Sequence, residues 1–340
     1  MKILITGIYG FVGSNLVKYL APTNEIYGLD IVAPEREGVM KTFTWEDLEK
    51  AGSKVQGSSD NASEEFPEVD AIIHLAGKAH DTKNKSAAEV YFKVNTGLTQ
   101  KIFDYFLKSS AKKFVFFSTA KAAADKVDGV LTEDVVPAPV GPYGESKIKA
   151  EEYILEKFKE FNGSKVQNNQ ELENLRIVPE KTVYIFRPCM IHGPGNKGNL
   201  NLLYNVVKKG IPWPLGAFEN RRTFTSVENI CFAVNGVLTQ DVPYGIYNMG
   251  DDEALSTNEL IEEICKSLGK KAHIWKLPKG LMMGCAKVGG WLHLPLNSER
   301  MRKLTENYIS SNDKIKKALG VERMPVDARE GLRVTLESFK

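Results

Sequence analysis

Three glycines at three-residue spacing follow a short apolar run at the start of this chain. Residues 2–6 read Lys-Ile-Leu-Ile-Thr, and Gly7, Gly10 and Gly13 come after them. A strand that enters a tight glycine turn and then a helix directs backbone N–H groups and the positive end of the helix dipole at one point. The pattern therefore predicts a strand–turn–helix unit that can bind a phosphate group.

A carboxylate ends the next apolar run, Glu25–Asp30, and lies 17 residues beyond Gly13. At that spacing it can accept hydrogen bonds from the hydroxyls of an adenosine ribose. Its charge would repel a 2′-phosphate, so the sequence favours NAD over NADP, and Arg36 is the nearest cation that could weaken this preference. The alternative is a glycine-rich turn that binds nothing. We expect a dinucleotide site that contains Gly7, Tyr9, Gly10, Phe11, Val12, Gly13 and Asp30.

The three glycines have separate roles. Gly7 can supply the positive φ of the turn, Gly10 lets the backbone approach a pyrophosphate, and Gly13 permits close packing of the helix on the strand. The usual dinucleotide pattern, G-x-G-x-x-G, occurs instead at residues 193–198. Because Pro194 stiffens that turn and no strand ending in an acid follows it, we interpret it as unrelated to the cofactor.

Short β-branched runs alternate with helical patterns over the first half of the chain. The predicted strands are Lys2–Thr6, Glu25–Asp30, Ala71–Leu75, Phe114–Ser118 and Thr182–Arg187, and the predicted helices are Phe11–Leu20, Ala87–Leu107 and Tyr143–Phe161. This alternation predicts an α/β fold of the Rossmann type, a doubly wound parallel sheet with helices on both faces. Ligands of such sheets lie beyond the carboxyl ends of the strands. We therefore expect Leu75, Ala76 and Gly77 to contact the cofactor, unless they only mark the end of a strand.

At 340 residues the chain is long enough for two domains. We expect residues 1–188, with a later contribution from 222–248, to form the dinucleotide-binding domain. The sequence becomes irregular after Pro188, and helical patterns return at residues 257–268 and 312–319. We expect a smaller C-terminal, substrate-binding lobe that comprises residues 189–221 and 249–340. Residues 162–181 are polar without an apolar period and predict a surface insertion.

The composition argues against several classes of partner and site. The 45 Lys and Arg residues nearly balance the 43 Asp and Glu residues, so nothing points to nucleic acid or to an anionic membrane surface. Four cysteines without C-x-x-C spacing argue for a reducing compartment and against zinc. The histidines lack metal-ligand spacing, so we expect no metal, and His74 reads as a hydrogen-bonded core residue. With no secretory signal pattern, we expect a cytoplasmic protein.

Tyr143 and Lys147 lie four residues apart on one face of a predicted helix. A free phenol has a pKa of about 10, so it is a poor base at neutral pH. A nearby ammonium, together with the positive charge of an oxidised nicotinamide, would lower that pKa. A Ser or Thr hydroxyl can orient the reacting oxygen. The pair therefore predicts proton transfer in a nicotinamide-dependent redox reaction.

The same spacing occurs twice more, in Tyr153/Lys157 and Tyr204/Lys208. Of the three tyrosines, only Tyr143 opens its helix and follows a strand that ends in hydroxyls, Ser118-Thr119. The other two lie within runs whose apolar positions suggest packing. We therefore assign proton transfer to Tyr143 and Lys147, with an ordinary surface pair as the alternative.

Several motifs along the chain combine into one family pattern. They are residues 6–13, residues 74–77, Asn95 with Gly97, residues 114–119, Tyr143-x-x-x-Lys147, Arg187-Pro188, residues 193–195 and residues 222–227. Together they resemble the extended short-chain dehydrogenase/reductases, specifically the NAD-dependent sugar-nucleotide epimerase/dehydratase family. The resemblance covers most of the chain and is specific for the family, although not for one substrate.

The resemblance implies roles for individual residues. Thr119 would be the hydroxyl partner, Tyr143 the acid/base and Lys147 the cation that holds the cofactor. An arginine suits a diphosphate because its planar fork matches phosphate oxygens. The implied substrate contacts are Lys121, Asn199 and Arg222.

Two of the implied residues keep an alternative. Asn95 would support the active site and the cofactor from its helix, or it would face solvent. Arg222 would bind the diphosphate, or it would be a surface charge beside Arg221. The resemblance also implies a homodimer formed through the helices predicted at residues 87–107 and 143–161.

The chain departs from the family pattern directly after the catalytic hydroxyl. The 4,6-dehydratases of the family carry an Asp-Glu pair there, whereas this chain has Ala120-Lys121. Elimination chemistry is therefore disfavoured. Ala122-Ala-Ala124 stand where the family often has Val-Tyr-Gly, which leaves the shape of that loop open. Residues 197–227 are similar to bacterial UDP-hexose 4-epimerases and 4-ketoreductases, which make surface polysaccharide precursors.

Three functions remain open at this point. The first is a UDP-hexose 4-epimerase that oxidises and reduces its substrate through a 4-keto intermediate with NAD. The second is an NAD(P)H-dependent reductase of a UDP-4-keto-6-deoxyhexose, which would use the same Tyr-Lys couple. The third is a dinucleotide sensor or scaffold without activity, and the presence of Tyr143 and Lys147 counts against it.

Overall fold

A computed structural model describes residues 1–53, 66–79, 87–167, 180–291 and 298–340 of the chain. Its strands are β1 (Lys2–Thr6), β2 (Glu25–Asp30), β3 (Lys41–Thr44), β4 (Ala71–His74), β5 (Lys113–Phe117), β6 (Val130–Leu131), β7 (Thr182–Pro188), β8 (Met190–His192), β9 (Phe224–Ser226), β10 (Gly245–Met249) and β11 (Ile309–Ser310). Its α-helices are α1 (Phe11–Leu20), α2 (Trp45–Ser53), α3 (Ala88–Tyr91), α4 (Leu98–Lys108), α5 (Ala120–Ala123), α6 (Pro142–Gln167), α7 (Asn199–Lys208), α8 (Val227–Thr239), α9 (Thr257–Ser267), α10 (Lys279–Trp291), α11 (Ser298–Thr305), α12 (Asp313–Leu319) and α13 (Ala328–Glu337). A π-helix, Phe92–Gly97, lies between α3 and α4.

Seven strands form one sheet in the order β10-β7-β5-β4-β1-β2-β3. The neighbours from β7 to β3 all pair in parallel. Because β2 lies on one side of β1 and β4 on the other, the strand order reverses at β1. In open parallel sheets the ligand crevice lies beyond the carboxyl end of the strands at such a reversal. The predicted Rossmann-type α/β fold is confirmed, and the end of β1 is the expected place for a cofactor.

The chain divides into two compact units. The first comprises residues 1–125, 136–187 and 233–247 and contains most of the large sheet. Leu4, Ile72 and Phe114 of its strands and Phe103 and Ile154 of its helices are fully buried. Strands covered on both faces need apolar side chains on both, which explains the nearly continuous apolar runs of β1, β4 and β5.

The second unit comprises residues 126–135, 188–232 and 248–340. It contains two short parallel pairs, β6 with β11 and β8 with β9. Helices α9 and α13 bury Leu260 and Leu332 in its own core. Residues 126–135 and 222–232 lie in this unit, whereas the sequence pattern assigned both to the dinucleotide-binding domain.

Several predicted elements are confirmed with the same bounds, namely β1, β2 and α1. The predicted helix at residues 87–107 is interrupted by the π-helix. The surface insertion predicted at residues 162–181 is wrong for residues 162–167, because α6 continues to Gln167; residues 168–179 lie outside the described part of the chain. Strand β3 was not predicted, because four residues give too little periodicity to recognise.

Within the described ranges, no helix is both long enough and apolar enough to cross a bilayer. The same ranges hold no group of three or more His, Cys, Asp or Glu side chains arranged to bind one metal ion. The four cysteines, Cys189, Cys231, Cys265 and Cys285, are free thiols.

Candidate active site

The glycine turn after β1 is as tight as its sequence predicts. Gly7 has a φ of 67°, and its N–H donates to the oxygen of Leu29 at 2.8 Å. A Cβ at Gly7 would lie 2.9 Å from the backbone of Ala76, and one at Gly13 would lie 2.6 Å from the Gly7 oxygen. Both distances are too short for a carbon atom. Glycine is therefore required at position 7 by backbone conformation and at position 13 by packing.

The first turn of α1 is open to an anion. No side chain among the described residues caps this helix, and its first turn holds no acidic residue. The N–H groups of Phe11, Val12 and Gly13 have no partner within the helix and lie at the positive end of its dipole. Gly10 precedes them in an extended conformation and adds no side chain. This arrangement fits the pyrophosphate of a dinucleotide.

Asp30, at the carboxyl end of β2, lies next to this turn. Its Oδ2 accepts a hydrogen bond from the N–H of Tyr9 at 3.3 Å. Arg36, the cation that could weaken the preference for NAD, donates to the Ile8 oxygen at 2.9 Å and to Ser14 Oγ at 3.2 Å. Its guanidinium lies 5.8 Å from the ring centre of Tyr9. Arg36 is thus bound to the turn itself.

A buried network holds the loop after β4 against the turn after β1. The hydroxyl of Thr6 accepts hydrogen bonds from the N–H groups of Leu75 at 3.2 Å and Ala76 at 3.0 Å. His74 contacts the same hydroxyl through Nδ1 at 2.7 Å and Thr99 through Nε2 at 2.9 Å. Burial, and then the charge of nearby Lys147, hold the pKa of His74 well below its ordinary value. The prediction of a hydrogen-bonded core histidine is confirmed.

Asn95 is fully buried in the π-helix, so the alternative of a solvent-facing residue is wrong. Its Oδ1 accepts from the N–H of Lys78 at 2.7 Å, and its Nδ2 donates to Ser146 Oγ at 2.9 Å. A Cβ on Gly77 would lie 2.9 Å from that Oδ1 and 3.1 Å from Lys147 Nζ. The missing side chain of Gly77 therefore makes room for these two polar groups.

Tyr143 and Thr119 meet at the end of β5. Thr119 follows the strand and caps the short helix α5, and Tyr143 lies in the first turn of α6. Burial raises the pKa of Tyr143, and a hydrogen bond with the Thr119 hydroxyl works in the opposite direction. The ring of Tyr91 packs edge-on at 6.3 Å. Burial thus sets the direction among the protein's own groups, and the lowering expected from an ammonium together with an oxidised nicotinamide stays a prediction.

Lys147 lies one helical turn after Tyr143 and is 5% exposed. Its Nζ donates to the oxygen of Phe117 at 2.8 Å and lies 4.9 Å from the ring centre of Phe116. Burial lowers the pKa of Lys147 to about 8, although the carboxylate of Glu151 opposes this shift. The ammonium is thus fixed beneath the end of β5 and loses its proton far more easily than a lysine in water.

Gly144 is a functional position that sequence reasoning missed. A Cβ there would lie 2.7 Å from the oxygen of Lys121. Glycine therefore allows the first turn of α6 to approach the backbone of α5, next to Thr119. The available signal was a glycine inside a helical pattern, which usually marks close packing when it is not a cap.

Glu151 and Arg187 form a buried ion pair that sequence reasoning also missed. Arg187 Nε donates to both carboxylate oxygens at 3.1 Å, and its Nη2 donates to Oε2 at 2.6 Å. Ser118 Oγ donates to the same carboxylate. The pair links the strand end that carries Thr119 to the helix that carries Lys147. The signals were an arginine that ends an apolar strand and the four-residue spacing of Lys147 and Glu151.

Lys121, the substrate contact implied within the first unit, already has a partner. Its Nζ forms an ion pair with Asp125 Oδ1 at 2.5 Å. The side chain of Lys121 is 37% exposed and that of Asp125 12%. Lys121 lies in α5, two residues after Thr119. A substrate phosphate or hydroxyl would share its ammonium with Asp125.

Arg222 and Asn199, the other implied substrate contacts, belong to the second unit. The backbone of Arg222 pairs with Leu255 through two hydrogen bonds of 2.9 Å, and its guanidinium lies 5.8 Å from the ring centre of Tyr308. Burial lowers the pKa of Arg222, whereas Arg221 is exposed. Arg222 is therefore partly buried, unlike its exposed neighbour, and its role toward a diphosphate stays a prediction. Asn199 is an exposed residue at the start of α7.

The turn at residues 193–198, interpreted as unrelated to the cofactor, follows β8 in the second unit. Asn196 is buried within it. Its Nδ2 donates to the oxygen of Ile191 at 2.9 Å, and its Oδ1 accepts from the N–H of Gly198 at 2.6 Å. The Asn196 side chain thus joins the end of β8 to Gly198, the residue that precedes α7.

The arrangement in the first unit has the parts of a proton-transfer site beside a dinucleotide cradle. A phenol and a hydroxyl share a hydrogen bond, an ammonium lies on the same helical face, and the glycine turn and Asp30 lie at the ends of β1 and β2. Oxidation of an alcohol requires removal of a proton and a hydride. The phenolate form of Tyr143 can take the first and become a phenol, and a nicotinamide can take the second.

A family comparison agrees with this geometry. A model of the NAD dependent epimerase/dehydratase family matches residues 3–250. The match confirms the resemblance drawn from the motifs. With it, the expectation of an enzyme whose cofactor is NAD is confirmed.

Individual relatives span most of the chain. A UDP-glucose 4-epimerase from Vibrio cholerae is 29% identical, over 99% of this chain and 95% of its own length. A dTDP-4-dehydro-6-deoxyglucose reductase from Escherichia coli is 24% identical, over 80% of this chain and 83% of its own. The solved UDP-glucuronic acid 4-epimerase from Bacillus cereus, in complex with NAD, has a TM-score of 0.70 at 18% identity and covers 100% of this chain and 96% of its own. At that identity the structural likeness supports the fold.

Proposed function

Because the chain belongs to the NAD dependent epimerase/dehydratase family, we propose that it is a UDP-hexose 4-epimerase that works through a 4-keto intermediate. The observation that carries this proposal is the hydrogen bond between Tyr143 and Thr119, with the Lys147 ammonium one turn away. The similarity to a UDP-glucose 4-epimerase supports the choice of reaction. Ala120 and Lys121, in place of an acid pair, count against a dehydratase.

The cofactor would be held by residues of the first unit. The amides of Phe11, Val12 and Gly13 would bind the pyrophosphate, and Asp30 would accept hydrogen bonds from the adenosine ribose. The loop Leu75–Gly77 and Lys147 would lie against the nicotinamide half, with Asn95 as support through Ser146. When bound, NAD supplies a hydride acceptor, a hydride donor and, in its oxidised form, a positive charge.

The proton would move through Tyr143. Its phenolate takes the proton from the sugar 4-hydroxyl during oxidation and returns it to the 4-keto oxygen during reduction. Thr119 donates a hydrogen bond at the same place and orients that oxygen. Because burial raises the pKa of Tyr143, the positive charges of Lys147 and of the oxidised cofactor are needed to stabilise the phenolate.

The second unit would hold the nucleotide sugar, as the resemblance implies. Arg222 would bind the diphosphate of a UDP group, with Asn199 as a further contact from this unit; the remaining implied contact, Lys121, belongs to the first unit. Epimerisation requires the keto sugar to present its other face to the nicotinamide, so the hexose must rotate while the UDP group stays bound. We further propose a cytoplasmic homodimer, formed through α4 and α6, that makes precursors of surface polysaccharide.

The second candidate is a 4-ketoreductase of a nucleotide-linked 4-keto-6-deoxyhexose. The similarity to a dTDP-4-dehydro-6-deoxyglucose reductase favours it, and the same couple would donate the proton. The two reactions differ in their use of cofactor. An epimerase returns its cofactor to the starting state in each cycle, whereas a reductase consumes one NAD(P)H for each ketone.

The test uses purified full-length protein and a panel of UDP-hexoses and UDP-4-keto sugars. Reduced nicotinamide is followed by absorbance and product stereochemistry by NMR. Inversion at C4 of a UDP-hexose, with no NADH added or consumed, is the expected result. Consumption of NADH with the ketones, and no inversion, would establish the reductase. Binding of NAD without turnover of any sugar would leave only a sensor. Sedimentation of the same sample tests the dimer.

A further inference from the structure

Helix α10 of the second unit has an apolar outer face. Met282 and Ala286, four residues apart, are 5% and 1% exposed and face the core. Leu281, Met283 and Val288 are 56%, 53% and 54% exposed. At 3.6 residues per turn, Leu281 and Val288 lie next to each other on the side away from the buried pair, and Met283 lies on the other flank of that pair, between Lys279 and Lys287. The solvent side of this helix therefore carries three large apolar side chains together with two lysines.

Helix α9 in the same unit shows the ordinary arrangement. Its outer side carries Glu259, Glu263 and Lys266, which form ion pairs among themselves and with Arg329 at 2.6–3.1 Å. Charged side chains on the solvent face are typical of helices in water-soluble folds. On α10, Leu281 and Val288 instead place adjacent apolar side chains in solvent, and exposed apolar surface beside polar residues marks an interaction site.

The segment that leads into and forms most of α10 is rich in positive charge. Residues 270–288 contain five lysines and no acidic residue, in a chain whose formal net charge is only +2. All five lysines are exposed. Trp275, which precedes the helix, is 54% exposed. The balance of charge over the whole sequence, which gave no indication of an anionic partner, conceals this local excess.

We propose that this surface binds the anionic face of a lipid bilayer. We name it the α10 face; it consists of Trp275, Leu281, Met283, Val288 and the lysines Lys270, Lys271, Lys276, Lys279 and Lys287. A helix of this composition lies in the plane of a membrane interface, with its apolar side chains at the acyl boundary and its lysines among the phosphates. Tryptophan is enriched at the same depth because its ring is apolar and its N–H is polar.

A second copy of the chain fits this surface less well. A two-fold symmetric dimer would pair the α10 face with itself. The five lysines of each copy would then face one another with no acidic residue between 270 and 288 to compensate them. An anionic surface satisfies the same lysines and accepts the apolar side chains between them. The charge of the face therefore favours lipid phosphate over self-association.

The test is flotation of the full-length protein with vesicles. We expect binding to vesicles of phosphatidylcholine mixed with phosphatidylglycerol and little binding to phosphatidylcholine alone. Each lysine near such a surface is worth about 1 kcal/mol, so the variant Lys276→Glu should lower the partition coefficient at least about five-fold. The double variant Leu281→Gln/Val288→Gln should lower it further. Added salt should weaken binding of the unmodified protein.

Matched control variants distinguish binding through the α10 face from effects of exposed charges or aromatic rings elsewhere on the protein. Lys266→Glu changes an exposed lysine on α9, and Tyr19→Ala changes an aromatic residue that is 46% exposed on α1; neither should alter flotation. Turnover of nucleotide sugar without vesicles should be unchanged in the α10 variants, which also reports that they fold. Equal flotation with neutral and anionic vesicles, or none with either, would overturn the proposal. A shift from dimer to monomer in the Leu281→Gln/Val288→Gln variant would assign the face to a second copy instead.

Discussion

Two tyrosine–lysine pairs with identical spacing lie on helix α6. Tyr143 shares a hydrogen bond with Thr119, and its partner Lys147 is 5% exposed, with a pKa lowered to about 8 by burial. Tyr153 donates to Asp104 at 2.6 Å, and burial, followed by this contact, raises its pKa to about 12. Its partner Lys157 donates to Glu160 at 2.8 Å, which raises the pKa of that lysine.

The difference comes from the elements that each turn of α6 packs against. The first turns lie against the carboxyl end of β5, where the hydroxyl of Thr119 contacts Tyr143 and the backbone oxygen of Phe117 contacts Lys147. Ten residues later, Tyr153 contacts Asp104 of α4, and Lys157 contacts Glu160 of α6 itself. A carboxylate near a phenol disfavours the phenolate. The spacing is thus shared, and of the two lysines only Lys147 has a pKa that burial brings down to about 8.

The largest expected effect separates the two tyrosines directly. Removal of the phenol oxygen in Tyr143→Phe should lower kcat by roughly 10²–10⁴-fold, the usual contribution of a general acid/base. NAD binding, measured by fluorescence titration, should remain. The matched variant Tyr153→Phe should keep kcat within about two-fold, as for other substitutions away from the site. Equal losses in both variants would mean that α6 acts through its packing alone.

The next effect concerns the hydroxyl that only the first pair has. Thr119→Ala should lower kcat by about 10²–10³-fold, the range for loss of one donor at a reacting oxygen. Thr119→Ser keeps the hydroxyl and should recover most of the rate. The kcat and KM of both variants are measured with the same substrate. A serine variant as slow as the alanine variant would show that the threonine methyl group, and not the hydroxyl, is needed.

A smaller effect is expected from filling the space over Lys147. In Gly77→Ala the new Cβ would press on Asn95 Oδ1 and Lys147 Nζ. Overpacking of this kind costs about 1–3 kcal/mol of stability, and the displaced ammonium should lower kcat about ten-fold or more. The control is Gly163→Ala on α6, where a Cβ meets nothing within 4 Å. It should stabilise the helix by about 0.5–1 kcal/mol. Denaturant titration measures the free energy of unfolding of both variants. A change in the free energy of unfolding with the same sign in both variants would contradict this prediction.

The smallest expected effect is a dependence of kcat/KM and of stability on pH, which we assign to the buried Lys147. Because the pKa of Lys147 is about 8, kcat/KM should fall as pH rises through that value and the ammonium is lost. The contribution of the same group to stability should change in the opposite direction. Between pH 8 and the ordinary lysine pKa the unfolded chain binds more protons, so this contribution rises with pH. Opposite slopes of activity and of the free energy of unfolding are therefore expected.

Substitution of Glu151 tests whether Lys147 is the group that titrates. The Glu151 carboxylate raises the pKa of Lys147, so Glu151→Gln should move the fall of kcat/KM to lower pH. Because that variant also leaves Arg187 without its buried partner, Glu151→Asp serves as the variant that keeps the charge. Lys157→Gln is the control and should leave the profile in place. A fall at the same pH in Glu151→Gln and the unmodified protein would assign the titration to another group.

Much of the first unit could be predicted because its signals are local. A continuous apolar strand, three glycines and an acid at the end of the next strand lie within 30 residues, and β1, α1 and β2 have the predicted bounds. The π-helix and the extension of α6 to Gln167 were missed, since neither leaves a period that differs from an ordinary helix or a polar loop. The irregular second unit offered fewer such signals.

The sequence by itself determined the class of the protein: a parallel sheet with a glycine turn at the end of β1, and a tyrosine and a lysine on one helical face. These depend on backbone conformation and on spacings of a few residues. Only the tertiary structure decided which of the equally spaced pairs is buried, that Gly77 and Gly144 leave room for the groups around them, and that Glu151 pairs with Arg187. Those contacts join residues tens of positions apart along the chain. They depend on how strands align and helices pack, which no local pattern encodes.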